Sequence, residues 1–137
     1  MTQYLLDSNV LIALAVQEHE HHAAASAWIV GVEHFALCPI VEGALVRFLV
    51  RLGESTSTAI AVLTAIQQMP SYESWPDGLS YAKVELGHVI GHRQVTDAYL
   101  LGLVCDRPAA RLVTFDAGLA EVDPSLVTLL SPHSSPQ

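Results

Sequence analysis

Four acidic residues stand at four separate breaks in this chain, each beside an apolar run. Asp7 follows Tyr4-Leu5-Leu6, and Asp116 follows Leu112-Val113-Thr114-Phe115. Glu42 lies in Ile40-Val41-Glu42-Gly43-Ala44-Leu45, and Asp97 opens Asp97-Ala98-Tyr99-Leu100-Leu101. A carboxylate beside an apolar run is costly to bury unless something positive meets it. A divalent cation with oxygen ligands is the simplest such partner. The chemistry to expect is a metal-dependent acidic site.

The elements that must position these acids are legible in the pattern. Residues 3–6 read as a short buried strand, with Ser8 or Asn9 capping the helix that follows. A second helix is expected over 20–31, with Ala23, Ala27, Ile29 and Val30 available for packing. Phe35–Cys38 reads as a strand, and Pro39 suits the first turn of a helix running to about Leu52. Ser55, Thr56 and Ser57 offer caps for a helix to about Gln68. Pro70, Pro76 and Gly78 mark a loop with one short strand near Tyr72–Trp75, and a short helix is expected over 80–86. A helix from Val95 to Cys105 and strands at Leu112–Phe115 and Leu126–Leu130 complete the reading. Strands alternating with helices predict an α/β fold: a parallel sheet covered on both faces. In such sheets the site lies beyond the carboxyl ends of the strands. Asp7 and Asp116 fall there, and Glu42 and Asp97 fall in first helical turns, where the helix dipole favours negative charge. Four carboxylates from distant segments are thereby directed to one pocket.

Composition bounds the function. The chain has 137 residues, 51% apolar and 15% charged, enough for one domain with a real core. The domain is expected over residues 1–130, with a flexible polar tail at 131–137. No apolar run approaches the roughly 18–20 residues of a membrane helix, and no signal peptide is recognisable, so a cytoplasmic protein is expected. A net charge of −8 argues against nucleic-acid binding by bulk charge, though a few arginines can grip phosphate, and the acidic excess suits a basic protein partner. Cys38 and Cys105 have no CxxC spacing and are read as reduced core residues.

The segments holding the four acids resemble the motifs of a known family. Leu5-Leu6-Asp7-Ser8-Asn9-Val10-Leu11 resembles the opening motif of the PIN domain. Val41-Glu42-Gly43-Ala44-Leu45-Val46-Arg47 resembles its second acidic motif, with an arginine five residues on. Gln94-Val95-Thr96-Asp97-Ala98-Tyr99-Leu100 resembles the third, and Leu112-Val113-Thr114-Phe115-Asp116 the last. The four occur in order over nearly the whole chain, and the compact length is similar to that of VapC toxins of bacterial toxin–antitoxin systems. The resemblance implies a single-domain α/β/α sandwich around a parallel sheet and a metal-dependent endoribonuclease. It also implies an RNA substrate, a neutralising VapB-type antitoxin and a homodimer. The implied acidic set is Asp7, Glu42, Asp97 and Asp116, with Asn9 and Thr114 at polar accessory positions.

Oxygen-rich sites suit Mg²⁺, with Mn²⁺ the alternative. Mg²⁺ keeps several waters and takes one or two carboxylates directly. Asp7 and Asp97 are expected nearest the ion, with Asp116 close by and Glu42 binding metal or orienting water. Arg93, His92 and Arg47 are candidates for RNA contact, Arg51 follows Arg47 on the same helix, and Trp75 and Tyr99 are the aromatics available for base stacking. His19-Glu20-His21-His22 invites a zinc reading but lacks HExxH and a third ligand, so a half-exposed helix start is preferred. His88 is read as a surface or loop residue. Two alternatives stay open: a housekeeping PIN nuclease in RNA processing, and a non-catalytic module whose acidic pocket receives a partner's arginine.

Overall fold

The computed structural model describes residues 1–131; apart from Ser131, the tail expected over 131–137 lies outside the described residues. β1 (Gln3–Leu6) is the middle strand of a five-stranded sheet. On one side lie β2 (Phe35–Leu37) and then β3 (Tyr72–Ser74); on the other lie β4 (Ala110–Thr114) and then β5 (Val127–Leu129). Every neighbouring pair is parallel. Leu5, Leu6, Phe35, Ala36, Leu37, Leu112 and Val113 are fully buried. Strands enclosed on both faces read as continuous apolar runs, which is why these segments stand out in the sequence. Because the chain crosses to the other side of β1 only with β4, the sheet reverses order between β1 and β4, the place where open parallel sheets form a crevice.

Helices cover the sheet: α1 (Ser8–Ala15), α2 (His22–Val30), α3 (Pro39–Arg51), α4 (Thr56–Gln67), α5 (Val95–Cys105) and α6 (Ala117–Val122). Pro39 opens α3 as expected. Its end is a Schellman turn: Gly53 adopts φ 95°, its N–H donates to Val50, and the Glu54 N–H donates to Leu49 at 3.1 Å. Ser55 caps α4 through the Thr58 N–H.

Four local expectations are corrected and one helix is added. The cap of α1 is Asp7, whose Oδ1 accepts the Ser8 N–H at 2.7 Å; Ser8 and Asn9 are inside the helix. In α2 the buried face is Ala24, Ala25 and Ile29, while Ala23 and Val30 are exposed, because only packing against α1 sets the helix's rotation. The helix expected over 80–86 is a single 3-10 turn at Tyr81–Lys83. α6 is absent from the sequence reading: six residues containing Gly118 carry too little period to register, and its Asp116 cap supplies the signal instead. Cys38 is buried, but Cys105, at the end of α5, is exposed and so is not a core residue.

Candidate active site

The crevice between β1 and β4 is organised by one hydroxyl. Thr114, the last residue of β4, is fully buried. Its Oγ1 donates to Asp7 Oδ2 at 2.7 Å and accepts from Asn9 Nδ2 at 3.1 Å and from the Asp116 N–H at 3.0 Å. Asn9 Oδ1 in turn accepts the Phe115 N–H at 3.2 Å. Asn9 is free to reach across because Asp7, one residue past β1, has taken the capping role. β4 ends one residue earlier than the sequence suggests, so Asp116 lies two residues past it and caps α6, its Oδ1 accepting the Gly118 N–H at 2.9 Å. Backbone and side chain thus fix two of the four predicted acids with respect to each other.

Asp97 completes this side. It stands in the first turn of α5, half-buried. Burial raises its carboxyl from 3.8 to about 6, reinforced by the negative charges of Asp7 and then Asp116. Asp7 is 5% exposed, and its carboxyl is also raised, first by burial; Thr114 and Ser8 oppose the shift, while Asp116 adds to it. Three carboxylates therefore face one another from the end of β1, α5 and the β4–α6 turn: Asp7 buried, Asp97 half-buried and Asp116 exposed. Asp97 and Asp116 line a cavity of about 140 Å³ with His88, Gln94 and Leu119.

Glu42 is held differently. It lies in the first turn of α3, and its Oε2 accepts a hydrogen bond from Gln67 of α4 at 3.0 Å. It is not among the charges that shift Asp7 or Asp97. Gln67 is a residue the sequence reading missed: an amide at a helix end carries no signal until α3 and α4 are packed together. Among the described residues, no three His, Cys, Asp or Glu side chains stand close enough to enclose a metal ion. The donor set nevertheless fits a hard cation that retains water: oxygen ligands only, and mutual repulsion between three carboxylates that a positive charge relieves.

A PIN domain family model matches residues 4–124. The chain belongs to the PIN-domain family. Ribonuclease VapC29 of Mycobacterium tuberculosis is 50% identical over 127 residues, covering 92% of this chain and 95% of that protein. Ribonuclease VapC39 of the same organism is 39% identical over 127 residues, covering 85% and 91%. The fold is shared with the crystal structure of Mycobacterium tuberculosis VapC20, a Sarcin-Ricin loop cleaving toxin. That match has a TM-score of 0.72 at 14% identity and covers 93% of this chain and 99% of that one. It is shared too with VapBC2 from Rickettsia felis bound to a promoter DNA fragment, at TM-score 0.65 and 14% identity over 95% and 100% of the two chains.

In this PIN domain the remaining candidates separate by exposure. His92 and Arg93 are exposed in a 3-10 turn, His92–Gln94, immediately before α5. Arg47 and Arg51 are exposed on α3. Among the described residues none of these three arginines is engaged with a carboxylate. By contrast Arg111 is consumed by β5 and its approach, donating to Thr128 Oγ1, Ser125 O and Val127 O. Trp75 and Tyr99 are corrected as stacking candidates. Trp75 is 1% exposed, bonded to Glu73 and covered by Arg107 at 4.1 Å. Tyr99 is equally buried, its hydroxyl donating to Leu79 O and its ring stacked on Tyr81. The histidine run is structural: both His22 ring nitrogens are used, by Ala13 O at 2.8 Å and Ser26 Oγ at 3.3 Å, and His21 stacks on Phe115.

Proposed function

We propose that this PIN-domain protein is the toxin of a toxin–antitoxin pair and acts as a metal-dependent endoribonuclease. The observation that carries this reading is the convergence of Asp7, Asp97 and Asp116: burial, then the charges of Asp7 and Asp116, raise the Asp97 carboxyl, which lines a solvent-reaching cavity with Asp116. The names of the VapC ribonucleases at 50% and 39% identity support the substrate class. Asp7, Asp97 and Asp116 would hold Mg²⁺ or Mn²⁺, partly through water, with Glu42 at the margin. When bound, the ion supplies a lowered pKa for an attacking water and neutralisation of charge on the phosphate. Thr114 and Asn9 act through Asp7: they fix its carboxylate and withhold it from rotation. Gln67 restrains the Glu42 carboxylate by a hydrogen bond from α4. Arg93 and His92, at the entry to α5, receive RNA phosphate, and Arg47 extends that contact along α3.

A VapB-type antitoxin is the proposed neutralising partner, consistent with the VapBC complex that shares the fold. A homodimer is proposed through α3 and α4, where Val50, Leu52 and Ile60 are exposed apolar residues. No helix of the described residues is long and apolar enough to cross a membrane, and the proposed site of action is the cytoplasm. The test is cleavage of purified cellular RNA in Mg²⁺, Mn²⁺ or EDTA, with Asp97→Asn alongside. Cutting that requires metal and Asp97 supports the reading; no cutting in either metal by folded protein overturns it.

A further inference from the structure

A second cavity, about 390 Å³, opens beside the acidic one and shares His88 and Val122 with it. Its floor is apolar, formed by Ala98 and Leu101 of α5 with Leu79 and Leu126. Ala98 directly follows Asp97, so one helix carries the reactive end and the apolar wall. The opposite wall is pinned: Tyr99 donates to Leu79 O at 2.8 Å, and Gly102 leaves room for Leu79, whose Cδ2 would sit 2.7 Å from an added Cβ. Its charged lining is Lys83, Glu85, Asp106 and Asp123; Glu85 accepts the Gly87 N–H, and Asp123 accepts from the Ser125 N–H and hydroxyl. Asp106 is exposed at the C-terminal end of α5, where the helix dipole disfavours a carboxylate, and among the described residues its side chain has no hydrogen bond or ion pair.

We propose that this cavity is a nucleobase subsite, receiving the base of the nucleotide next to the scissile phosphate, with Asp106 reading its edge. The inference rests on the nuclease reading for its substrate. The volume falls in the range of roughly 300–1,000 Å³ usual for small-molecule pockets, and an apolar slot with a few polar groups at one end suits an aromatic heterocycle. A carboxylate accepts from amino and ring N–H groups, so guanine, adenine and cytosine are favoured over uracil, whose edge is dominated by carbonyl oxygens. Lys83 donates to a base carbonyl or to the adjoining phosphate. Continuity with the acidic cavity favours a base over a partner's apolar side chain, because an extended RNA strand running past Asp97 reaches this pocket directly.

The experiment uses the full chain in EDTA, titrated with each of the four nucleoside 5′-monophosphates and read by the methyl resonances of Leu79, Ala98, Leu101 and Leu126. The expected result is shifts confined to these methyls, with roughly tenfold weaker binding of the uridine nucleotide, a preference that Asp106→Asn flattens. Silent methyls, equal response to all four nucleotides, or shifts produced only by an antitoxin overturn the proposal. A second measurement uses Cys105, which lines the pocket and is exposed, whereas Cys38 is buried with its thiol pushed up to about 11. Capping Cys105 with a bulky aryl disulfide is expected to raise KM for RNA roughly tenfold, reversed by reductant; an unchanged KM in fully capped protein overturns the subsite. If the protein cuts no RNA yet the methyls respond in the stated order, the subsite stands and the nuclease reading falls. If it cuts RNA while the methyls stay silent, the reverse holds.

Discussion

Replacing Asp97 with asparagine is expected to stabilise the metal-free protein at neutral pH while removing its proposed activity. The Asp97 carboxyl rises from 3.8 to about 6 on folding, by burial and by the charges of Asp7 and Asp116. A rise of about two units corresponds to at most ~3 kcal/mol of destabilisation of the ionised form. Asp97 is only half-buried, so solvent screening reduces this to about 1–2 kcal/mol. Against it stands the favourable dipole at the start of α5, about 0.3–1 kcal/mol, which asparagine forfeits. The combined cost of burial and repulsion wins by about 1 kcal/mol, roughly 4 °C in Tm for a chain this size. The pH dependence has a definite sign. The unfolded chain holds this proton only below about pH 4 and the folded chain up to about pH 6, so the folded state binds more protons in that window. Stability from this group is therefore present at low pH and lost as pH rises through about 4 to 6. Thermal melts of both proteins in EDTA between pH 4 and pH 7.5 measure it. The Tm gap should be near zero at pH 4 and open toward pH 7, and saturating Mg²⁺ should raise the wild-type Tm more than the variant's. A variant no more stable than wild type at pH 7, or a gap that ignores pH, would refute the claim that burial and neighbouring charge make the ionised Asp97 costly.

Thr114→Val keeps shape but strips Asp7, Asn9 and the Asp116 N–H of a common partner; urea unfolding should show a loss of about 2–4 kcal/mol, and Thr114→Ser should recover most of it. Gln67→Ala releases Glu42 from its restraint, and single-turnover RNA cleavage should fall about tenfold or more with little change in Tm; unchanged cleavage would remove Glu42 from the site. Arg93→Ala should weaken RNA binding for all sequences alike and flatten the logarithmic salt dependence by about 0.7, the share of one phosphate contact on a single strand. Gly102→Ala gains up to ~1 kcal/mol of helix propensity and forces Leu79 to rotate at a cost of about 0.5–1.5 kcal/mol; Tm should move by little, while binding of mononucleotides changes.

The chain itself carries the architecture. Apolar runs at residues 3–6, 35–38 and 112–115 read as buried strands, and Pro39, Gly53 and Ser55 mark helix ends by backbone chemistry that needs no partner. The placement of four acids at strand ends and helix starts was equally legible, because the parallel α/β arrangement sends all such positions to one edge of the sheet. Tertiary structure decided what those acids meet. Whether Asn9 caps a helix or bridges to β4 depends on Asp7 taking the cap, a choice made only when β1 and β4 pair. Gln67 found Glu42, and Arg111 was spent on β5, through packing between segments far apart in sequence. Trp75 and Tyr99 look available for RNA in a linear reading, but their large apolar surfaces are buried once the core closes. Cys105 escapes that core because helical period alone does not fix which face of α5 turns inward. Local propensity is written along the chain; proton affinity, exposure and partnership arise from distances across it, and these exist only after folding.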